Sequence, residues 1–291
     1  MIKNTMKGFL LSVLGVLFIS CSLTAKSQQQ FSNQSDTLMS QEILYTYPTP
    51  DELIDVIEKE HLNFNNNYLN SVSNVNQYIN TKTKNLNLGI YLADLAYAAF
   101  FLRRNQISRY VDVINQTSDD LLISSETRTK MKNDLINNME NLDSIYHLTN
   151  VYYYEIMQEL EKNNNNGLMV IISAGTYIES IYLSLSLVDD FSNENELIKK
   201  IAEQKNAFVS LLNTSKLYED HYYVKDIIPY LERIIGIYNQ FKVEDAGKLV
   251  FIKRPDGTVK FKSAEKVVMN EQQFNTFRKT ITDIRNEITL N

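Results

Sequence analysis

Two stretches of the chain decide its fold: GIYLADLAYAAFFL at residues 89–102 and LMVIISAGTYIESIYLSLSLV at residues 168–188. Both are apolar almost all round, which in a soluble protein is typical of central helices that pack on several sides. The second stretch is long enough to cross a membrane, but its serines, Thr176 and Glu179 favour a buried helix instead. These stretches therefore predict the core of a helical protein.

The rest of the sequence adds amphipathic helices and one hairpin. The 291 residues include only 8 glycines and 4 prolines, so helix-breaking residues are rare. Apolar residues recur at helical spacing, and the predicted segments are residues 49–57, 68–79, 107–114, 131–142, 151–160, 193–211, 222–241 and 270–288. The turn sequence Pro-Asp-Gly at 255–257 predicts strands at 249–252 and 258–261.

We therefore predict an all-α fold, either a multi-helix bundle or a short helical-hairpin solenoid, with one small β-hairpin before the C-terminal helix. Setting Tyr97 on Tyr177 brings Gly89 and Gly175 near the same helix crossing. That alignment is typical of a helical-hairpin repeat, but two helices buried in one core look alike without any repeat.

The N-terminal residues predict a cellular address. Lys3 and Lys7 precede an apolar run at residues 9–19, which is followed by a serine and then by Cys21. A basic start, a short apolar run and a small residue before the cleavage point indicate a secretory signal at residues 1–20. Cys21 then becomes the first residue of the mature protein and carries lipid.

The alternative is ordinary secretory cleavage after Ala25, which leaves Cys21 as a plain thiol. Because Cys21 is the only cysteine, no disulfide can form within the chain. A lone cysteine at the lipid position favours acylation. Residues 21–47, rich in Ser, Gln, Asn and Thr, predict a flexible tether, and residues 48–291 are predicted to form a single all-α domain.

The residues after the lipid position predict which membrane carries the protein. By resemblance to other bacterial lipoproteins, Ser22 in place of an aspartate favours the outer membrane. Residues 23–26 lack the acidic cluster that resembles a surface-export signal, so the body is expected to face the periplasm. Cleavage removes Lys3 and Lys7 from the 29 basic residues and leaves 35 acidic ones, so nucleic acid is not an expected partner.

Catalytic and metal-binding motifs are scarce in this sequence. The only histidines are His61, His147 and His221, and no two of them have metal-ligand spacing. The sequence has no HExxH motif, no glycine-rich phosphate loop and no GxSxG motif. We therefore predict no metal, no cofactor and no catalytic residue. Whether the protein is an enzyme stays open, with a non-enzymatic role favoured.

Two acids, Asp94 and Glu179, lie inside the apolar stretches, where a buried carboxylate costs several kcal/mol unless it has partners. The neighbouring candidates are Tyr91, Tyr97, Tyr177 and Tyr182. One interpretation is a pocket in which carboxylates and phenols bind a ligand; the other, which we favour, is an internal hydrogen-bond network that fixes helix register. Glycosidase chemistry also needs paired carboxylates, but in an open cleft with aromatic platforms, and the chain has no tryptophan.

These helices also carry a resemblance to a known group. The residues concerned are Gly89, Ile90, Tyr91, Ala93, Asp94, Leu95 and Tyr97, with Gly175, Tyr177, Ile178, Glu179 and Tyr182. They resemble uncharacterised all-helical lipoproteins of Bacteroidetes, in which an LG-Y-ADL-Y helix precedes a glycine-aromatic-Ile-Glu helix. Thr176 and Tyr177 stand where that group is expected to have glycine and tryptophan. The resemblance implies a fold and an address, and no activity.

The expected function is therefore that of a cell-envelope lipoprotein with a non-enzymatic binding or scaffolding role. Its expected partners are the membrane, through the N-terminal lipid, and an envelope protein or a small ligand. The alternative is a hydrolase or small-ligand-binding protein that uses the carboxylates and tyrosines. An open cavity lined by Asp94 and Glu179 would favour the alternative, whereas a closed network would favour the first function.

Overall fold

The computed structural model of the protein describes residues 62–121, 123–245, 250–253, 259–262 and 265–290. The signal peptide, Cys21, the tether and the helix predicted at residues 49–57 lie outside the described residues. The Pro-Asp-Gly turn at 255–257 lies outside them as well.

Nine α-helices account for most of the described residues, and the predicted all-α bundle is confirmed. Their bounds are α1 Thr81–Phe100, α2 Arg104–Ser118, α3 Ser125–Asn137, α4 Leu142–Lys162, α5 Asn166–Ser186, α6 Glu196–Glu203, α7 Lys205–Leu217, α8 Ile228–Tyr238 and α9 Glu271–Thr289. Short 3-10 helices occupy Asn66–Tyr68, Val72–Gln77 and Asp119–Leu121.

Four short strands lie between α8 and α9. They are β1 Lys242–Asp245, β2 Val250–Lys253, β3 Val259–Lys262 and β4 Glu265–Val268. The antiparallel pair β2–β3 confirms the predicted hairpin, with each strand one residue later than expected. The outer antiparallel pair β1–β4 was not predicted, because its strands carry charges with little apolar alternation; Glu244 stands opposite Lys266.

The two apolar stretches become α1 and α5, whose contact is the most extensive between helices in the described part of the chain. Their backbones touch at two glycines. A Cβ atom on Gly89 would lie 2.7 Å from the amide nitrogen of Thr176, and one on Gly175 would overlap the carbonyl oxygen of Leu86. The hydroxyl of Thr176 donates to the Gly89 carbonyl at 3.1 Å. Only glycine permits this approach.

The hydrophobic core consists of two clusters that share α1 and α5. One cluster packs these helices against α2, α3 and α4, and the other packs them against α6 to α9. Different faces of α1 belong to different clusters. Leu88 and Tyr91 pack in the first cluster, whereas Leu86 and Ile90 pack in the second. The α1–α5 pair therefore lies between the two halves of the core and packs against both. Its apolar composition on all sides predicted this central position.

Within the described residues, α5 is long and apolar enough to cross a membrane, with a mean hydropathy of 1.5 over its most apolar window. The core helix of a soluble protein passes the same test. Of that window, 78% is buried inside the protein, which agrees with the prediction of a buried helix.

The first described segment, residues 62–80, departs from the prediction. The helical spacing at 68–79 predicted an amphipathic helix, and this was wrong: the segment contains two 3-10 helices, and Ile79 is 84% exposed. The side chains of Asn65 and Ser71 accept hydrogen bonds from the backbone two residues later. Asn and Ser compete in this way with the hydrogen bonds of an α-helix.

The segment predicted at 131–142 is wrong as one helix, because α3 ends at Asn137 and α4 begins at Leu142. The segment predicted at 222–241 is helical only over Ile228–Tyr238.

Other signals at helix ends are confirmed. Asn164 has a φ of 56° in the break between α4 and α5. Pro229 lies in the first turn of α8, and the capping box of Asn270 and Gln273 begins α9. The helix predicted at 193–211 is divided at Gln204 into α6 and α7.

Candidate functional site

The predicted acids of the two central helices meet in the core. Asp94 on α1 and Glu179 on α5 have no exposed surface, and their carboxyl groups are close enough to share a hydrogen bond. Asp94 follows Gly89 by five residues and Glu179 follows Gly175 by four. The close crossing of the helices at these glycines is what brings the two acids together.

A cation on α9 neutralises Glu179. Arg285 donates through Nε to Oε2 at 3.1 Å and through Nη2 to Oε1 at 3.3 Å, which makes a bidentate pair. The guanidinium also donates to the carbonyl of Tyr68 at 3.3 Å and lies 4.7 Å from the ring centre of Tyr182. Burial lowers the pKa of Arg285, but the charge and hydrogen bonds of Glu179 raise it, and the pKa is raised overall. Arg285 therefore stays a cation.

Asp94 has a different environment. Its Oδ2 accepts the backbone N–H of Asn70 at 3.1 Å, while its buried Oδ1 receives no N–H or O–H donor from described residues. Two ionised carboxylates offer only acceptors, so a hydrogen bond between Asp94 and Glu179 requires a proton on one of them. Burial raises the pKa of Asp94 well above its usual range, and the nearby charge of Glu179 raises it further.

The pKa of Glu179 is also raised, because it is fully buried. The charge and hydrogen bonds of Arg285 act in the opposite direction, as does the hydrogen bond shared with Asp94. Among the described residues, no Lys or Arg forms an ion pair with Asp94. Of the two acids, Asp94 is therefore the one whose environment more strongly favours the protonated form, whereas Arg285 favours the carboxylate of Glu179.

Asn70 connects this pair to the ends of the described chain. Its carbonyl accepts the hydroxyl of Tyr110 on α2 at 2.7 Å. Its side-chain amide donates to the hydroxyl of Tyr78 at 3.0 Å and to Oδ1 of Asn87 at 3.2 Å. Tyr78 in turn donates to the carbonyl of Thr289 at the end of α9. One buried network thus joins the first described segment to the last helix.

Two of the predicted tyrosines hold this first segment rather than the acids. Tyr91 donates to the carbonyl of Ser71 at 3.1 Å, and the hydroxyl of Tyr97 accepts the N–H of Asn65 at 3.0 Å. Burial raises the pKa of Tyr97 to about 12, so the phenol is protonated at neutral pH. Both hydroxyls therefore form hydrogen bonds with the backbone of residues 62–80.

The other two predicted tyrosines are separated. Tyr182 contacts the site through its ring, which lies beneath the guanidinium of Arg285. Tyr177 packs edge-on against Phe208, 5.8 Å between ring centres, in the cluster with α6 to α9. The structure thus brings together Asp94, Glu179 and the ring of Tyr182.

Sequence reasoning did not identify the remaining members of the network, which are Arg285, Asn70, Tyr78, Asn87 and Tyr110. A signal existed for Arg285, because it follows Ile281 by four residues and precedes Ile288 by three. It therefore interrupts the predicted apolar face of α9, and a charge on a buried face requires a partner.

A surface cleft of about 410 Å³ lies elsewhere, between α6, β1, β4 and the start of α9. Lys199, Lys242 and Lys266 line it together with Glu194 and Glu244. Lys199 is paired with Glu194, and Lys242 with Glu244. The cleft therefore has nearly balanced charge, and neither Asp94 nor Glu179 reaches it.

Comparisons with known proteins add no assignment: no family model, no curated protein and no solved structure matches the chain. In the described ranges, no group of three His, Cys, Asp or Glu side chains could hold a metal ion.

We expect Asp94→Ala to lower the thermal midpoint of the Cys21→Ala protein, the form without a lipid site. The change leaves the Asn70 N–H and Glu179 without their partner, and each buried unsatisfied group costs about 1–3 kcal/mol. A loss of this size lowers the midpoint of a chain this long by about 2–4 °C per kcal/mol. Thermal unfolding followed by circular dichroism measures the shift.

The matched control is Asp112→Ala, which removes an exposed carboxylate paired with Lys132 at 2.8 Å. Exposed pairs contribute about 0–1 kcal/mol, so its midpoint should stay close to that of the parent. A midpoint for Asp94→Ala that is unchanged or raised would contradict a structural role. It would make Asp94 the first residue to test for ligand binding, because binding sites hold acids at a cost to stability.

Proposed function

We propose that the protein is a lipid-anchored, non-enzymatic binding or scaffolding module of the bacterial cell envelope. The observation that carries the non-enzymatic part is the closure of the carboxyl pair. Asp94 and Glu179 are fully buried, Asp94 accepts a hydrogen bond from Asn70, and Glu179 forms an ion pair with Arg285. A substrate cannot reach acids in this state, so they are suited to holding segments together.

The anchoring part of the proposal rests on sequence. Lys3, Lys7, the apolar run and Cys21 form the lipoprotein signal pattern. Two or three acyl chains on one cysteine suffice for durable membrane attachment, because each buried CH₂ contributes about 0.8 kcal/mol. The resemblance to all-helical lipoproteins of Bacteroidetes supports the same address. We propose the outer membrane, with the helical body facing the periplasm.

The carboxyl pair does not support the hydrolase alternative, because both acids are buried away from solvent and substrate. In the described part of the chain, the cleft between α6 and the β1–β4 ladder has a volume within the range of ligand sites. Its lysines are largely paired with glutamates, so this cleft favours no ligand class.

We expect cells grown with labelled palmitate to incorporate the label into the wild-type protein and to retain the protein in the outer-membrane fraction. Cys21→Ser removes the sulfur that carries lipid, so both label and membrane retention should be lost. Ser22→Ala, one residue away, is the matched control and should keep both. Label on the Cys21→Ser variant, or none on the wild type, would contradict anchoring at Cys21.

Protease treatment of intact cells tests the side of the membrane. A protein that faces the periplasm should survive until the outer membrane is ruptured. Its loss from intact cells would place the body on the cell surface instead, and would leave the result for Cys21 unaffected.

A further inference from the structure

We infer that Asp94 and Glu179 hold one proton between them, and that this proton locks residues 62–80 and the end of α9 onto the α1–α5 pair. The first ground is the geometry of the two carboxyl groups. Both side chains are fully buried, and Arg285 forms a bidentate pair with Glu179. Asp94 accepts the N–H of Asn70 at Oδ2, while its buried Oδ1 receives no donor from the described residues. With the proton present, the three charged groups sum to zero.

Loss of the proton leaves one uncompensated negative charge in the core. A buried net charge costs several kcal/mol, and water is the means by which a protein relieves it. The second ground is the set of elements that contact the carboxyl pair and separate it from water. α1 and α5 carry the acids and are fixed to each other at Gly89 and Gly175. Among the described residues, the groups bonded to the acids from other elements are Asn70 of the segment 62–80 and Arg285 of α9.

The segment 62–80 is held by side chains of the core more than by its own structure. Its regular structure is two 3-10 helices, which are short and have poorer hydrogen-bond geometry than an α-helix. Hydrogen bonds between described residues join its backbone to the rest of the protein at the site. They run from Arg285 to the Tyr68 carbonyl, Tyr91 to Ser71, Tyr110 to Asn70, Asn65 to Tyr97 and Asn70 to Asp94.

The end of α9 is held through the same residues. Tyr78 donates to the carbonyl of Thr289 at 3.0 Å, and Asn87 donates to the carbonyl of Ile288 at 3.1 Å. Asn70 donates to both Tyr78 and Asn87, and its Oδ1 lies 3.4 Å from the hydroxyl of Tyr78, so the three side chains are directly linked. A shift of Asn70 away from an ionised pair therefore loosens both elements.

The titratable and charged groups that face the carboxyl pair influence the pH at which the proton is lost and the segment 62–80 is released. They are Tyr91 and Tyr97 on α1, Tyr110 on α2, Glu179 and Tyr182 on α5, Arg285 on α9, and Tyr78 in the segment 62–80. Burial raises the pKa of each of these tyrosines above 10. These tyrosines therefore stay neutral below about pH 10, the ordinary pKa of a phenol, and Arg285 stays charged.

The sign of the pH dependence follows from the raised pKa of Asp94. An unfolded aspartate has a pKa of about 3.9, so between that value and the folded one the native state binds one more proton. Stability from this group is complete below pH 4 and falls as pH rises toward the folded value. Within that window each pH unit lowers the folded-to-unfolded ratio by up to about tenfold.

Asp94→Asn is the variant that tests the lock. The amide can accept from Asn70 and donate to Glu179, as the protonated acid does, but it cannot ionise. We expect the thermal midpoint of the wild-type chain to fall between pH 5 and pH 9, whereas the midpoint of Asp94→Asn changes less. Asp112→Asn removes an exposed carboxylate and should keep the wild-type profile. Parallel profiles for Asp94→Asn and the wild type would overturn the inference.

Hydrogen exchange separates a local lock from a general loss of stability. At pH 9 the amides of residues 68–78 and 285–290 should exchange at least about tenfold faster in the wild type than in Asp94→Asn, the change that one pH unit of opening produces. Comparison at one pH cancels the intrinsic effect of base. The central amides of α1 and α5 should stay protected in both. Equal exchange in the two proteins, or simultaneous loss over all helices, would contradict the lock.

Infrared spectroscopy tests the shared proton directly and does not need a folded variant. The wild-type protein at pH 7 should show the C=O band of a protonated carboxyl group, and Asp112→Asn should show it equally. A wild type without that band at pH 7 would refute the shared proton even if Asp94→Asn failed to fold.

Discussion

Gly175→Ala is expected to lower the free energy of unfolding by about 3 kcal/mol, the upper end of the range for overpacking a core. The new methyl group would overlap the carbonyl oxygen of Leu86, which belongs to the backbone of α1. A side chain can rotate away from such a contact, but a backbone carbonyl cannot move without its helix. Separation of α1 from α5 would loosen packing in both clusters of the core. Urea unfolding followed by circular dichroism measures the loss.

Gly236→Ala is the matched control, because Gly236 lies inside α8 and a Cβ there meets no atom within 4 Å. Alanine in a helix is favoured over glycine by about 0.5–1 kcal/mol, so this variant should be at least as stable as the parent. Equal stabilities for Gly175→Ala and Gly236→Ala would show that α1 and α5 do not cross as closely as described.

The central helices could be predicted from sequence because their signal is local. Residues 89–102 and 168–188 are apolar on every side, and burial on every side is the only stable environment for such a helix in water. The caps of α9 and the proline of α8 are also local signals. The two glycines were predicted to lie near one crossing, but the contact with Leu86 needed the structure, since it depends on the angle between the helices.

The segment 62–80 and the partners of the acids could not be predicted in the same way. The apolar spacing at 68–79 is real, but Asn and Ser side chains bind the local backbone, and core side chains far along the chain hold the segment. Arg285 is 106 residues from Glu179. No local pattern specifies such a pairing. The need for a partner was predictable from burial, whereas its identity was not.

Arg285→Met is expected to destabilise the protein by about 3–5 kcal/mol, the range for removal of one partner of a buried ion pair. Methionine keeps much of the aliphatic length but supplies neither charge nor donor. Glu179 then remains in the core without its two hydrogen bonds, and the Tyr68 carbonyl loses its donor. The thermal midpoint should fall by more than that of any surface variant.

The control for Arg285→Met is Arg233→Met, which removes an arginine of the same α8–α9 region. Arg233 pairs with Glu287 at 3.0 Å, but both side chains are 42% exposed. Water solvates the carboxylate that remains, so the expected loss is about 0–1 kcal/mol. The difference between the two variants isolates the effect of burial from the effect of losing an arginine.

A second substitution tests whether the charge of Glu179 causes the loss. In Arg285→Met with Glu179→Gln, the core no longer contains an uncompensated carboxylate, and the side-chain amide can donate to Asp94. The double variant should therefore be more stable than Arg285→Met alone, by about 1–3 kcal/mol for contacting residues in one network. A double variant no more stable than Arg285→Met would mean that Arg285 acts through packing on Tyr182 and its bond to Tyr68, and that neutralisation of Glu179 contributes little.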